Sequence, residues 1–365
     1  MKRILVMAVP IGSGHICAAN AITEELKKEG NFDVHYANAF DWCFPIYGTV
    51  YQMVYDLAVL YFRPLLKFFY NNSSLASASY HSIPKLHEII IYRLEELFEA
   101  VEPDAVIATH FSPAHFASIL KNKFGFQLFV MVTDYHLHQM WLTPQVDAYF
   151  VGHEDIITDV VLPKWTSGRF VVTGLPVRSI FEKKIPRARA RRLIGIDNRR
   201  PVVIVIGGRI FGGPWIRLIK KLIYLPINLI VLTGRNNRAR RKINRYQGEG
   251  RAHLKAHGLV ENIHHYMMAA DLVISKAGGL TTAESLVARA PLVFANSLPG
   301  LEQYNEQFFL QHDASYVIDI KRVQNQVWSL LTDGEGRRRI NNFYRLAKPH
   351  PAKSIVAEIK RSPYE

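Results

Sequence analysis

The chain has 365 residues, of which 49% are hydrophobic and 21% charged, and its formal net charge at pH 7 is +14. This length predicts two domains, and this composition is that of a globular protein. No apolar run approaches the roughly 20 residues of a membrane-spanning helix, and two cysteines are too few for a disulfide framework or a cysteine zinc site. The first residues are typical of a buried strand rather than a signal peptide, so we predict a cytosolic protein.

Strands and helices alternate along both halves of the chain. In the first half, strands are predicted over residues 4–9, 33–38, 105–108 and 127–132, and helices over residues 17–29 and 86–100. In the second half, strands are predicted over residues 201–206, 229–232 and 272–274, and helices over residues 216–224, 238–247 and onward to the C-terminus. This alternation predicts an α/β fold with two doubly wound, Rossmann-like domains facing a central cleft. Ligands of such sheets bind at the carboxyl ends of the strands.

A glycine-rich turn follows the first predicted strand. Its sequence is Gly12-Ser13-Gly14, directly before His15. A dinucleotide fingerprint would need a third glycine and an acidic residue about 20 positions later, and both are missing. The turn therefore disfavours a nicotinamide enzyme.

A second glycine turn lies in residues 275–284, the most informative stretch of the chain. Gly278 and Gly279 follow a short strand and allow backbone N–H groups to approach an anion at the start of the next helix. Glu284 lies about one turn into that helix, where a carboxylate can accept hydrogen bonds from two ribose hydroxyls. This arrangement suits a sugar nucleotide. The alternative is an ordinary glycine turn with a capping threonine.

The net charge of +14 indicates a polyanionic partner, which could be nucleic acid, an anionic membrane surface or a phosphorylated substrate. Two clusters hold much of the excess: Arg187, Arg189, Arg191, Arg192, Arg199 and Arg200, and Arg235, Arg238, Arg240, Arg241, Lys242 and Arg245. Neither cluster carries a zinc-finger or RNA-recognition signature. Part of this charge serves solubility. For the remainder we favour an anionic membrane surface as the binding partner, and we expect no nucleic-acid partner.

Five motifs occur in the order and spacing of a known enzyme family. They are residues 11–15 with Ala18 and Ala19, residues 132–135 with Leu137, His138 and Trp141, residues 172–178, residues 276–281 with Glu284, and residues 298–302 with Asn305. On these motifs the chain resembles the lipid glycosyltransferases that comprise processive diacylglycerol glucosyltransferases and monogalactosyldiacylglycerol synthases. It is more distantly similar to the N-acetylglucosaminyltransferase that makes lipid II.

The resemblance implies a two-domain, inverting glycosyltransferase of the GT-B type without a bound metal ion or other cofactor. Residues 1–178 would receive a lipid acceptor at a membrane, residues 179–345 would hold a UDP-sugar, and a helix in residues 346–365 would pack back on the first domain. We therefore expect a peripheral enzyme on the cytoplasmic face of a membrane that moves a hexose to diacylglycerol or a glycosyl-diacylglycerol. Another lipophilic or polyprenyl-linked acceptor, or a non-catalytic nucleotide-sugar sensor, remains an alternative.

The resemblance makes His15 the candidate general base, and an ordinary imidazole pKa near 6.5 suits that role. Asp134 is the second candidate, either as the base itself or as the group that orients an imidazole or an acceptor hydroxyl. A histidine at a glycine turn and an aspartate at a strand end can also be purely structural caps.

The predicted donor site gathers residues from several strand ends. The diphosphate is expected at the helix start of residues 278–282, with help from Lys276 or Arg209, and the uracil near Tyr266 and Met267, with Tyr266 equally compatible with core packing. The full set is Gly14, Gly208, Arg209, Arg235, Tyr266, Met267, Lys276, Gly278, Gly279, Leu280, Thr281, Thr282, Glu284, Glu302 and Gln303.

The acceptor side is predicted in the aromatic segment 42–70, whose mixture of rings and a few cations is typical of a membrane interface. A buried helical hairpin is the alternative. The predicted acceptor or membrane residues are Trp42, Phe44, Tyr51, Tyr55, Phe62, Arg63, Lys67, Phe68, His138 and Trp141.

One position departs from the family pattern. The family usually has Pro-Gly-Gln-Glu where this chain has Pro299-Gly300-Leu301-Glu302. The resemblance implies that the glutamine contacts hydroxyls of the donor sugar, and a leucine can make no such hydrogen bond. Either Glu302 and Gln303 take over this contact, or the donor sugar differs from glucose and galactose.

Overall fold

The structure is a computed structural model in which residues 1–62, 64, 68, 90–158, 160–196, 198–207, 211 and 213–362 are described, without the side chains of residues 60, 301, 334, 335 and 337. The contacts between residues divide the chain into two compact units. Unit 1 comprises Met1–Ser179, Pro299–Tyr304 and Lys348–Glu365, and unit 2 comprises Ile180–Leu298 and Asn305–Ala347.

Unit 1 is built on a six-stranded parallel sheet. Its strands are β1 (Lys2–Ala8), β2 (Phe32–Asn38), β3 (Ala105–Ala108), β4 (Gln127–Met131), β5 (Ala148–Val151) and β6 (Arg169–Val172), in the order β2-β1-β3-β4-β5-β6. Every residue of β3 and β5 is buried. This is the pattern expected of parallel strands that are covered by helices on both faces.

The helices of unit 1 follow its strands. In chain order they are α1 (Gly14–Glu29), α2 (Tyr47–Tyr61), α3 (Leu94–Val101), α4 (Phe111–Phe124) and the single turn α5 (Asp155–Thr158), with 3₁₀ turns at Ala39–Trp42 and Gln139–Trp141. None of the helices in the described part of the chain is long and apolar enough to cross a bilayer.

Unit 2 is built on a five-stranded parallel sheet of β7 (Val202–Ile206), β8 (Asn228–Leu232), β9 (His253–His257), β10 (Leu272–Ser275) and β11 (Leu292–Phe294), in the order β11-β10-β7-β8-β9. The remaining helices are α6 (Arg187–Leu193), α7 (Gly213–Leu222), α8 (Asn237–Asn244), α9 (Ile263–Ala269), α10 (Gly279–Val287), α11 (Leu301–Gln311), α12 (Val323–Thr332), α13 (Gly334–Arg345) and α14 (Pro351–Arg361). The last of these, α14, belongs to unit 1, where Arg169 forms an ion pair of 2.9 Å with Glu358.

The predicted α/β fold with two doubly wound parallel sheets is confirmed. All seven predicted strands are present within two residues of their predicted ends, whereas β5, β6, β9 and β11 were not predicted. Helix α1 begins at Gly14 instead of residue 17, so the predicted glycine turn supplies the first residue of the helix. Of the helix predicted over residues 86–100, residues 86–89 lie outside the described residues.

Carboxylates hold the amino-terminal edges of both sheets. Asp104 precedes β3 and accepts the N–H of Arg3 at 2.7 Å, and Asp271 precedes β10 and accepts the N–H of Val202 at 2.7 Å. Each bond ties the first residues of two adjacent strands together. Because a buried N–H group without a partner is costly, these bonds help to set the strand register.

Each sheet has one point where the strand order reverses. In unit 1 the chain leaves β1 for β2 on one side and returns to β3 on the other, and in unit 2 β8 and β10 flank β7 in the same way. Adjacent crossovers then lie on opposite faces, which leaves a crevice at the carboxyl ends of β1 and β3 and of β7 and β10. Ligand sites are expected at these two crevices.

Candidate functional site

The first crevice contains His15. This residue is the second residue of α1, and residues 9–13 connect the carboxyl end of β1 to that helix. The turn before it includes Gly12 with φ of 75°, a left-handed conformation that glycine adopts without strain. The turn therefore delivers the imidazole to the carboxyl edge of the sheet.

Two oxygen atoms orient the His15 ring. The Nδ1 atom lies 2.8 Å from the backbone oxygen of Thr109 and 3.0 Å from the hydroxyl oxygen of Thr133. Because a carbonyl oxygen only accepts, Nδ1 must carry the proton, and Nε2 is left with the lone pair. Thr109 and Thr133 follow β3 and β4, and His15 follows β1. Residues after the ends of three strands therefore define one tautomer of the His15 imidazole.

Aromatic rings surround this imidazole. The His110 ring meets it edge-on with centroids 4.6 Å apart, and the Trp141 ring lies at 6.1 Å. Burial lowers the pKa of His15 to about 4, against a smaller opposing effect of the hydrogen bond to Thr109. The His15 side chain is nevertheless half-buried, so it is accessible from solvent as a neutral base.

His110 has a structural function in α4. Its Nδ1 accepts the N–H of Ser112 at 3.1 Å, which caps the first turn of the helix. Burial, and to a lesser extent the neighbouring His15, keep the pKa of His110 well below its ordinary value. Two neutral imidazoles therefore lie side by side at this sheet edge.

The segment after β4 is buried. Asp134 follows Thr133 and is 5% exposed, while His138 and Trp141 are each 3% exposed. The Nδ1 atom of His138 accepts the N–H of Met140 at 3.2 Å and caps a 3₁₀ turn. His138 and Trp141 were predicted as acceptor or membrane residues; their burial is incompatible with membrane contact, and their role towards the acceptor stays a prediction. Trp141 forms part of the wall around His15.

The predicted acceptor segment contributes an exposed helix face. Tyr51 of α2 packs inward against Phe40 with ring centroids 5.3 Å apart, and burial raises its pKa to about 12. Large apolar side chains on the opposite side are exposed: Ile46 61%, Val50 45%, Met53 54%, Val54 57%, Leu57 44% and Tyr61 72%. Their spacing of three and four residues puts them on one side of α2, and we call these six residues the α2 face.

The individual predictions in this segment have mixed outcomes. Phe44, Phe62 and Phe68 are exposed, as a surface role requires, whereas Trp42, Tyr51 and Tyr55 are half-buried. Arg63 and Lys67 lie outside the described residues. Most of the α2 face was not predicted, because the membrane residues were chosen for their aromatic rings. Val50, Met53, Val54 and Leu57 are aliphatic.

The second crevice contains the glycine turn between β10 and α10. Its backbone is held by side chains of unit 2: the Asn305 amide donates to the oxygen of Ala277 at 3.0 Å, and the Ser297 hydroxyl accepts the N–H of Ala277 at 3.3 Å. Ser297 in turn donates to Glu306 at 2.7 Å. These contacts fix the turn that precedes the helix.

The start of α10 can bind an anion. Gly278 is the N-cap and supplies no side-chain cap, and open space surrounds the position where a Cβ would be. The first N–H groups of the helix, from Gly279 to Thr281, have no carbonyl acceptor within the helix. They are therefore available to donate hydrogen bonds to an anion. Thr282, which was predicted in the donor set, is fully buried, and its hydroxyl donates to the backbone oxygen of Gly278 at 2.9 Å instead of facing a ligand.

The other predicted donor residues of unit 2 differ in how far their side chains are accessible to a ligand. Glu284 and Lys276 are half-buried, and Arg235 is exposed after the end of β8. Met267 is fully buried and Tyr266 is 6% exposed, so contact of the Met267 side chain with a base is excluded and Tyr266 presents little more than an edge.

Several predicted residues cannot be placed in unit 2. Gly208 and Arg209 lie outside the described residues, as does the side chain of Leu301. Glu302 and Gln303 belong to the segment Pro299–Tyr304, which groups with unit 1, and Glu302 is 7% exposed. Gly14 is the first residue of α1 and also belongs to unit 1.

Comparison with known proteins gives matches over both units. Residues 15–177 match the family model of monogalactosyldiacylglycerol (MGDG) synthase, and residues 216–342 match the model of the glycosyltransferase family 28 C-terminal domain. The processive diacylglycerol beta-glucosyltransferases of Bacillus pumilus and Bacillus mycoides are each 26% identical to this chain. These alignments cover 98% of the chain and 94% and 93% of the two relatives.

Solved structures agree on the fold. MurG of Acinetobacter baumannii has a TM-score of 0.66 at 15% identity and covers 99% of this chain and 100% of its own. The spinosyn rhamnosyltransferase SpnG has a TM-score of 0.64 at 12% identity and covers 98% and 100%. The predicted GT-B fold and the predicted resemblance to lipid glycosyltransferases are thus confirmed.

The environment of His15 predicts an unusually acidic titration. Because burial disfavours the imidazolium, the His15 ring should titrate near pH 4, well below its ordinary value of 6.5. Nitrogen NMR of the imidazoles, with His15→Gln to assign the signal, measures this directly. An unfolded chain would bind the same proton near 6.5, so this residue should also lower the free energy of unfolding as pH falls from 6.5 towards 4. A midpoint near 6.5 in the folded protein would contradict the buried, oriented ring.

Proposed function

Since the chain is a GT-B glycosyltransferase similar over nearly its whole length to diacylglycerol glucosyltransferases, we propose that it transfers a hexose from a UDP-sugar to diacylglycerol or a glycosyl-diacylglycerol. The transfer inverts the anomeric carbon and occurs at the cytoplasmic face of a membrane. The observation that carries this proposal is the neutral His15 imidazole, oriented by Thr109 and Thr133 at the switch point of unit 1.

The proposed reaction uses the free lone pair of His15. The acceptor hydroxyl oxygen attacks the anomeric carbon, the bond from that carbon to the diphosphate oxygen breaks, and UDP leaves with the bonding electrons. Nε2 takes the hydroxyl proton, and the resulting imidazolium keeps its Nδ1 proton on the Thr109 oxygen. Asp134, buried next to Thr133, is the proposed second candidate for the base, or the group that orients an imidazole or the acceptor hydroxyl.

Unit 2 is the proposed donor site. The diphosphate would accept hydrogen bonds from the first N–H groups of α10, where the helix dipole favours negative charge. Glu284 lies one turn into the helix and would accept hydrogen bonds from the ribose hydroxyls. Charge that develops on the leaving UDP is thereby stabilised by fixed backbone dipoles. The donor sugar stays open, because Leu301 replaces a glutamine of the family pattern.

The α2 face is the proposed point of membrane insertion. A face of this kind can bury its apolar side chains among lipid headgroups while Tyr47 and Tyr51 keep the helix attached to unit 1. This contact would bring a lipid acceptor to unit 1, and the charge of +14 favours an anionic membrane.

The first test is product formation. Anionic vesicles that contain diacylglycerol are incubated with UDP-glucose, UDP-galactose, UDP-N-acetylglucosamine or UDP-glucuronate, and extracted lipids are analysed by mass spectrometry. His15→Ala should lower turnover by about two to four orders of magnitude, because general base catalysis contributes on that scale, with UDP affinity unchanged. The matched control is His35→Ala on the surface of unit 1. UDP binding without any glycolipid product would refute the proposed activity, and a near wild-type rate of His15→Ala would assign the base to Asp134.

The anion site is tested by Gly278→Ala. The backbone of Gly278, with φ of −78° and ψ of 132°, accepts any residue, and the added methyl group would occupy the open space beside the helix start. We expect UDP affinity in calorimetry to fall by roughly tenfold at unchanged thermal stability. The control is Lys242→Ala, an exposed position near the C-terminal end of α8, and it should leave the affinity unchanged. If the two variants bind UDP with equal affinity, the diphosphate does not bind at the start of α10.

The α2 face is tested by a pair of acidic substitutions. Val54→Glu with Leu57→Glu should abolish flotation with neutral phosphatidylcholine vesicles, because two carboxylates oppose burial in the headgroup region. The matched control is Val161→Glu with Leu259→Glu, two residues that are 79% and 69% exposed elsewhere. Retained flotation of the α2 variant would show that this face does not insert.

A further inference from the structure

The positive charge of the chain is concentrated in one stretch. Residues 198–248 contain twelve lysine and arginine residues and no aspartate or glutamate. Since the net charge of the whole chain is +14, the other residues are almost balanced. The stretch begins just before β7 and includes β8 and the helices α7 and α8 of unit 2.

Part of this charge forms one helix face. Arg238, Arg241, Lys242 and Arg245 are all exposed and follow one another at intervals of three, one and three residues, which places them on one side of α8 and its C-terminal end. The other side holds Ala239 and Ile243, which are buried in the core of unit 2. Arg240 points away from the exposed side, with its guanidinium 3.5 Å from the position a Cβ would take on Gly258.

Helix α7 extends this positive surface. Trp215 and Leu218 of α7 belong to the same hydrophobic core cluster as Ala239 and Ile243 of α8, so both helices cover the same side of the sheet. Lys220 of α7 holds its ammonium 4.9 Å from the centre of the Tyr246 ring, just beyond α8. Arg217 and Lys220 are exposed. Together with the four cations of α8 they form what we call the cationic face.

No carboxylate of residues 198–248 can neutralise this face, because that stretch has none. Elsewhere in unit 2, arginines are paired: Arg187 and Arg191 with Asp271, and Arg338 and Arg339 with Asp313. In the described part of the chain, the four cations of α8 have no such ion pair. Six exposed cations that repel one another weaken the fold slightly, and a polyanionic surface would remove that cost.

We propose that the cationic face of α7 and α8 binds an anionic lipid bilayer. The identification of the partner as a bilayer rests on the proposed function, in which the acceptor is a lipid. That the partner is negatively charged follows from the six cationic side chains themselves. A nucleic acid is the less suitable occupant, because recognition of single strands relies on several open aromatic rings for successive bases, and of the two tyrosines that follow α7 and α8 only Tyr224 is exposed. The ring of Tyr246 beside this face already has the ammonium of Lys220 over it.

The test compares two variants that each lose four positive charges. The face variant carries Arg238→Gln, Arg241→Gln, Lys242→Gln and Arg245→Gln, and the scattered variant carries Lys27→Gln, Lys164→Gln, Lys183→Gln and Lys353→Gln. All eight positions are exposed. Partition of the full chain is measured on vesicles of phosphatidylglycerol with phosphatidylcholine, at low and high salt, and on phosphatidylcholine alone.

The face variant should bind anionic vesicles at least roughly tenfold more weakly than the scattered variant at low salt, because each cation near the surface adds to the attraction. High salt should remove this difference, and neutral vesicles should not distinguish the two variants. Equal binding of the two variants to anionic vesicles would overturn the proposal. So would tighter binding of the wild type to single-stranded RNA than to vesicles, lost in the face variant.

A second readout separates this proposal from the proposed function. Transfer to a short-chain, water-soluble diacylglycerol needs no vesicle, so with each of the four UDP-sugars named above the face variant should retain the wild-type rate. If the wild type forms no glycolipid while vesicle binding still depends on the face, the proposed function fails and the cationic face stands. If transfer proceeds but the two variants bind vesicles equally, the cationic face fails and the proposed function stands.

Discussion

The parallel arrangement of the strands is the constraint on which both candidate sites depend. Every crossover in a parallel sheet returns the chain to the same edge, so all carboxyl ends and the turns after them meet there. The reversal of strand order at β1 and β7 then leaves two crevices. His15, Thr109 and Thr133 are far apart in sequence, and they meet because they follow three neighbouring strands.

The burial of the His15 ring sets its chemical character. The surrounding rings of His110 and Trp141 keep water from part of the imidazole and lower its pKa to about 4. In the proposed transfer such a base would be weak towards a resting hydroxyl, but it would be unprotonated at neutral pH and able to take the proton as that hydroxyl becomes acidic during attack. The apolar wall has a second consequence for a transferase, since it limits the access of water, the competing acceptor.

Local patterns predicted the parts of the fold and site that depend on neighbouring residues. The glycine turn at Gly278 and the histidine after β1 were found because strand, turn and helix are contiguous. Thr109 was missed, although it follows a correctly predicted strand, because its contribution is a backbone oxygen. Thr282 and Met267 were assigned to a ligand because the sequence does not show which side of a helix is buried. Strands β5 and β6 were not predicted from the sequence, although the equally short β3 and β10 were.

The two proposed membrane contacts act over different distances. Apolar side chains of the α2 face gain free energy only after they leave water, so their attraction ends at contact. The cations of α7 and α8 attract an anionic surface over about one Debye length, roughly 8 Å at physiological ionic strength. Charge would therefore govern how fast the protein arrives, and apolar burial how long it stays. The α2 face lies in unit 1 with the proposed acceptor site, and the cationic face lies in unit 2 with the proposed donor site. Selection could therefore tune the net charge of unit 2 without altering the residues that surround His15.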